Sequence, residues 1–328
     1  MPGGSEVFSA HHRDGRAAGV NEQHALTSAE RTGALLLLAD SAAKAWGSSV
    51  PEDSRQDSGL GLADIDITRP NGARVYDYLI GGKDNFSADR AYANKILEFA
   101  PKAPLACQAN RQFLGRAVRF LAGEAGISQF LDIGSGLPTQ ANVSEVAHEI
   151  NPRAHVVYAD NDPMVYIHGK ALLSDAERVE IIKADIRDPA SILTDPTVLS
   201  LIDFDKPVGL LLVAILHHIE DHEDPASIAA RLRDAMPPGS YLAISSFRMP
   251  GAETPELQAI TPEGEKLLAE GLGSGRWRDE AVIRGWFGDW DLVPPGLVPL
   301  ADWRPDEQTR TERDEVYHSL YCGVARKT

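Results

Sequence analysis

Four stretches of this chain carry residues whose types and spacing could do chemistry. In "QFLDIGSGLPTQAN" (129–142) an apolar run ends at Asp132, and Gly134, Ser135 and Gly136 follow before a helix-like stretch. Glycine permits positive φ and lets the backbone come into contact with a ligand, which is how many nucleotide-cofactor loops open. In "HVVYADND" Asp160 closes a second apolar run, where its carboxylate can accept hydrogen bonds from both hydroxyls of a ribose, with Asn161 beside it. The competing role, a helix cap before Pro163, is served equally well by Asn161 or Asp162. In "IIKADIRDP" Asp185 can accept an exocyclic adenine amine while Ile186 lies against the ring, and Asp188 before Pro189 reads as a helix cap.

The fourth stretch is "LLVAILHHIEDHED", in which His217 or His218 could deprotonate a hydroxyl or an amine. Strand alternation would send the two rings to opposite sides, so one at most faces a pocket; a packed histidine bonded to backbone is the competing reading. His217, His218 and His222 with Glu220, Asp221 and Glu223 lack the H-x-x-x-H and H-E-x-x-H spacings, so no metal is expected.

The glycine loop discriminates between cofactors. A dinucleotide fingerprint wants G-x-G-x-x-G, and Thr139 stands at the third glycine with Pro138 before it. S-adenosylmethionine has no phosphate, so a shorter G-x-G suffices for it. An acid after each of the next two strands completes the constellation.

The elements that must position these residues are legible in the pattern. Phe130–Ile133, Val156–Tyr158, Val179–Ile182, Val208–Ile215 and Tyr241–Ile244 are near-continuous apolar runs, as expected of parallel strands buried on both faces. Helices start at Thr139 and Asp224, and residues 90–99, 108–122, 261–271 and 279–287 also read as helical. The spacing is that of repeated βαβ units, hence a doubly wound α/β sheet. "WDLVPPGLVPLADW" and "EVYHSLYCGVARK" read as a closing antiparallel pair, an ending that a plain dinucleotide-binding domain does not require.

Upstream, "YDYLIGGKDNFSADR" places Tyr76 and Tyr78 before a Gly81-Gly82 turn, followed by Lys83, Asp84, Asn85 and Phe86. A lid over cofactor and substrate is expected here, with a plain helix-to-helix turn as the alternative. Arg74 and Arg111 are candidates to pair with a cofactor carboxylate. Residues 1–64 divide into a polar, aperiodic stretch, a helix over 27–46 and a linker, and read as a loosely structured extension or as a partner or dimer helix.

The chain has 328 residues and a formal charge of −16, which argues against nucleic acid or anionic lipid as the main partner. Two cysteines, Cys107 and Cys322, suit a reducing cytoplasm, and no run is long enough for a membrane span or placed as an export signal.

"RPNGARVYDYLIGGKDNFSADR" (69–90), "FLDIGSGLPTQANVSEVA" (130–147), "VVYADNDP" (156–163), "ADIRDP" (184–189), "LLLVAILHHIED" (210–221) and "PGSYLAIS" (238–245) together give the chain a resemblance over about 65–327. It resembles the S-adenosylmethionine-dependent methyltransferases long classed as a domain of unknown function, mostly of high-GC Gram-positive bacteria. His218 departs from the larger apolar residue expected there, and Asn71 from histidine. The resemblance implies a Rossmann-like class I methyltransferase fold: a mostly parallel seven-stranded sheet with an antiparallel last strand, plus a helical N-terminal cap. The expected division is an extension (1–64), a cap and lid (65–125) and a core (126–328). The expected function is methyl transfer from S-adenosyl-L-methionine to a small-molecule acceptor, in a cytoplasmic protein, with a homodimer left open. The alternatives are a NAD-dependent oxidoreductase and a non-catalytic regulator that binds S-adenosylmethionine.

Overall fold

The computed structural model describes residues 65–328 apart from 139–140 and 174–176; the expected extension over 1–64 and the expected Thr139 cap lie outside the described residues. Three helices lead into the sheet. Helix α1 (Gly72–Leu79) starts where the Asn71 side chain accepts from Ala73 N, α2 spans Ser87–Phe99 and α3 spans Ala103–Arg119. The third begins earlier than the apolar stripe suggests, because Pro104 is tolerated in a first turn.

Strand and helix then alternate. Strand β1 (Gln129–Ile133) leads to α4 (Val143–Ile150), which is capped by Asn142, three residues beyond Thr139. Asn142 accepts from Glu145 N at 2.9 Å and Glu145 reaches back to Asn142 N at 3.3 Å, so each satisfies a backbone donor of the first turn. Strand β2 (His155–Asp160) precedes α5 (Pro163–Leu172), capped by Asp162. Strand β3 (Val179–Lys183) precedes α6 (Pro189–Leu193) and α7 (Pro196–Leu201), capped by Asp188 and Asp195. Strand β4 (Gly209–Val213) ends two residues short of the apolar run, and α8 (Pro225–Ala235) and β5 (Tyr241–Phe247) follow.

The last third adds α9 (Pro255–Leu272), α10 (Glu280–Gly285), β6 (Asp291–Leu292), β7 (Val298–Pro299), α11 (Glu315–Ser319) and β8 (Leu320–Arg326). "EVYHS", expected as strand, is thus helical. Among the described residues the sheet has eight strands in the order β3-β2-β1-β4-β5-β8-β6, with β7 also on β8. Seven were expected; the eighth comes from counting two-residue segments. β8 runs antiparallel to β5, β6 and β7, and the other neighbours are parallel.

The two-residue period of each strand divides the core into two layers. Phe130, Val156, Tyr158 and Leu211 face the layer of α3 and α4, with Phe113, Val118 and Trp303. Leu131, Ile133, Val157 and Leu210 face the other, with Ile228, Leu232 and Trp286. Each fully buried side chain of this size contributes about 1.5–3 kcal/mol relative to exposure. Strand order reverses between β1 and β4, and a crevice opens beyond the carboxyl ends of strands at such a reversal.

Candidate cofactor and active site

The crevice is a cleft of about 250 Å³. Its floor is the turn after β1, where Gly134 N and Ser135 N donate to Ala159 O of β2 at 2.8 and 3.4 Å. Gly134 and Gly136 have φ of +74° and +67°, a region where L side chains are strained. A Cβ on Gly134 would lie 2.5–2.8 Å from three carbons of Ile215, whereas one on Gly136 would meet nothing. The first glycine thus allows the β4 loop to close on the turn, and the second leaves the cleft open.

Two carboxylates flank the turn. Asp160 accepts from Gly136 N at 2.9 Å and from Asp162 N at 3.0 Å, tying the end of β2 to the glycine loop. Burial outweighs those hydrogen bonds and raises the Asp160 carboxyl to about 6. Asp132 is 4% exposed, and burial, opposed by Arg111 and reinforced by Asp160, raises it to about 7. The Ser135 hydroxyl is buried in the lining without a hydrogen-bond partner. Two acids, Arg111 and an unpartnered hydroxyl thus surround the glycine turn, a lining that could hold a ligand with both charged and polar groups.

The residues match a family model described as S-adenosyl methyltransferase over 60–328. The chain belongs to that family. It is an S-adenosylmethionine-dependent methyltransferase, and its cofactor is S-adenosyl-L-methionine. The crystal structure of a candidate methyltransferase from Thermobifida fusca YX is 42% identical, with a TM-score of 0.74, covering 84% of this chain and 99% of that one. A DUF574 family protein from Streptomyces avermitilis MA-4680 is 37% identical, with a TM-score of 0.75, covering 80% of this chain and 100% of that one. No curated protein matches significantly. Family membership sets aside the oxidoreductase alternative and agrees with the missing third glycine.

Asp132, Gly134, Ser135, Gly136, Asp160, Asn161, Ile186, Arg111, Tyr76 and His218 line the cleft. Others of the expected residues stand back from it. Asp185 accepts from Asn161 and Arg187, which hold its carboxyl below the ordinary range against the upward push of burial. Arg74 is buried in an ion pair with Asp89 at 3.0 Å, lies 3.6 Å from Asp162, and donates to Asp66 O and Arg69 O. Phe86 packs beneath its guanidinium. Gly81, Gly82, Lys83, Asp84 and Asn85 wrap around Asp77, whose Oδ2 accepts from Asp84 N and Asn85 Nδ2 at 2.9 Å each. Gly82 is required there because a Cβ would collide with the Asp77 carboxylate. Tyr78 turns to Asn94 at 3.5 Å. His217 and His218 lie on the turn Leu216–His218 rather than on a strand, and His217 is 2% exposed and stacks on Phe247.

Some lining residues escaped the sequence reading. Asn110, buried on α3, donates to Tyr76 Oη at 3.2 Å and accepts from Ser245 Oγ at 2.6 Å. Ser245 Oγ in turn accepts from Ala214 N at 2.9 Å, fixing Ala214 at φ +58° directly after β4. An asparagine on the apolar face of α3, one turn before Phe113, was the available signal.

Proposed function

We propose that the cleft at the carboxyl edge of the sheet binds S-adenosyl-L-methionine and that the methyl acceptor is a small molecule. The observation that carries this reading is the bond from Gly136 N to Asp160, which brings the glycine turn and the acid of β2 together in one cavity. Asp160 would hold the ribose hydroxyls, with Asn161 and Ile186 toward the adenine, and Arg111 would face the carboxylate of the amino-acid tail. When bound, the cofactor supplies a methyl group on a sulfonium, open to in-line displacement. Asp132 and Asp160 would supply negative charge to a cofactor bound in this cleft, and its positive charge would in turn favour their ionised forms. The lining of the cleft would orient the acceptor against the methyl group, and positioning of this kind accounts for much of the acceleration in such displacements.

A small acceptor is supported by the modest cavity and by the charge of −16, which disfavours nucleic acid. Among the described residues no helix is long and apolar enough to cross a membrane. Calorimetric titration tests the reading: S-adenosylmethionine and S-adenosylhomocysteine should bind saturably and NAD should not. Binding of NAD alone would overturn it.

A further inference from the structure

We propose that His218 is the general base of this cleft and that it serves an uncharged hydroxyl acceptor, a phenol or an alcohol. This rests on the cofactor reading above. His218 lines the cleft, and its Nδ1 lies 2.9 Å from Ser274 O. A peptide carbonyl can only accept, so Nδ1 carries the proton and, in a neutral ring, Nε2 carries the lone pair. Among the described residues no hydrogen bond engages Nε2.

The turn that presents this ring is held from three sides. Arg187 donates to His218 O at 3.2 Å, Arg276 N donates to His217 O at 2.8 Å, and Arg278 donates to Ile219 O at 2.6 Å. His217 is withdrawn into a stack with Phe247 at 3.9 Å, which stacks on Trp277 at 4.5 Å. The charged and titratable groups around His218 are Arg187, His217, and Glu220 through the Ser274 hydroxyl. Burial, aided by Arg187 and opposed by the Ser274 bond, holds the His218 imidazole below its ordinary range, so the ring is neutral near pH 7.

The rest of the lining narrows the acceptor. Tyr76, Ile80, Ile219 and Leu272 give an apolar wall, and Asn110 is a neutral polar group within it. A carboxylate acceptor requires no base and would meet Asp132 and Asp160. An alkyl amine near pH 7 is an ammonium without a free lone pair and must lose a proton before it can attack at all, a step that a neutral hydroxyl does not require. A neutral hydroxyl enters uncharged and gives up its proton only as the new bond forms. Its oxygen bonds to the methyl carbon, the C–S bond breaks with its electron pair remaining on sulfur, and the proton passes to His218 Nε2. The imidazolium then returns that proton to solvent.

The test uses the purified full chain. S-adenosylhomocysteine affinity is measured by calorimetry, and S-adenosylhomocysteine release is followed with panels of phenols, alcohols, amines and carboxylic acids. The expected result is turnover in the hydroxyl panels, a loss of about 10²–10⁴-fold in kcat in His218→Gln, and unchanged S-adenosylhomocysteine affinity. The wild-type kcat should also fall on an acid limb below the ordinary imidazole range; this measurement stands if the variant fails to fold. Turnover confined to amines or acids, no turnover of hydroxyl compounds by a protein that binds S-adenosylhomocysteine, an unaffected His218→Gln, or no acid limb would each overturn the proposal. No binding of S-adenosylhomocysteine would overturn the cofactor reading beneath it instead.

Discussion

Gly134 and Gly136 sit two residues apart with nearly the same positive φ, yet substitution by alanine should damage them in different ways. Either alanine places a Cβ in the left-handed region, at about 1–2 kcal/mol. At Gly136 little more is expected for folding, because no atom lies within 4 Å of the new methyl. At Gly134 the methyl would overlap Cγ1, Cδ1 and Cβ of Ile215 at 2.5, 2.7 and 2.8 Å. Relief of such overpacking costs about 1–3 kcal/mol more. Gly134→Ala should therefore melt lower than Gly136→Ala by about 2–4 °C for each kcal/mol of that difference. S-adenosylhomocysteine affinity should fall more in Gly136→Ala, whose methyl stands in the open cleft. Replacing Ile215 by alanine in the Gly134→Ala background removes two of the three overlapping carbons and should recover part of the clash penalty relative to Ile215→Ala alone. Thermal melts and calorimetry on these four variants decide the matter. If Gly136→Ala were the less stable protein, or if Gly134→Ala kept wild-type stability, the close approach of the β4 loop would not be what the first glycine provides.

Three further outcomes are expected. Asp160→Ala removes the acceptor for Gly136 N and Asp162 N and should weaken S-adenosylhomocysteine binding by at least about tenfold, since one hydrogen bond to a charged group contributes about 1.5–3 kcal/mol; unchanged affinity in calorimetry would remove its role. The Asp132 carboxyl is raised to about 7, so the folded chain holds a proton that the unfolded chain releases near pH 4. Its contribution to stability is then fully present below pH 4 and is lost as pH rises to about 7; urea denaturation at pH 5 and 7.5 should show a smaller pH difference in Asp132→Asn than in wild type, and an equal difference would count against the burial. Arg74→Met leaves the buried Asp89 without its counter-charge and should cost about 3–5 kcal/mol in denaturant unfolding, with S-adenosylhomocysteine affinity retained in the folded protein; lost affinity at full stability would return Arg74 to the cofactor.

Much of the sheet was legible because a strand buried on both faces leaves a continuous apolar run, and β1 to β5 each did. That the glycine loop and Asp160 meet at one cleft was legible for a related reason, since both stand at the carboxyl ends of neighbouring strands. Asp185 and Arg74 show where that logic stops. Both are charged residues at plausible positions, but Arg187 and Asp89, distant or unremarked in sequence, compete for them. The glycine pair at 81–82 misled similarly: the space it preserves is filled by Asp77 of its own helix. His217 and His218 were assigned to strand alternation because the apolar run continues to Ile215, and nothing local signals that Ala214 turns left-handed where its N–H donates to Ser245.

β8 lies between β5 and the short segments β6 and β7, although its residues come after all of them in the chain. A ribosome making this protein therefore finishes β5 long before the strand that covers its outer edge exists. During that interval Tyr241–Phe247 presents a mostly apolar strand with unpaired amides, a template for pairing with another nascent chain. Holding that edge apart until residues 320–326 emerge is a task for the folding machinery of the cell, set by the order of strands alone.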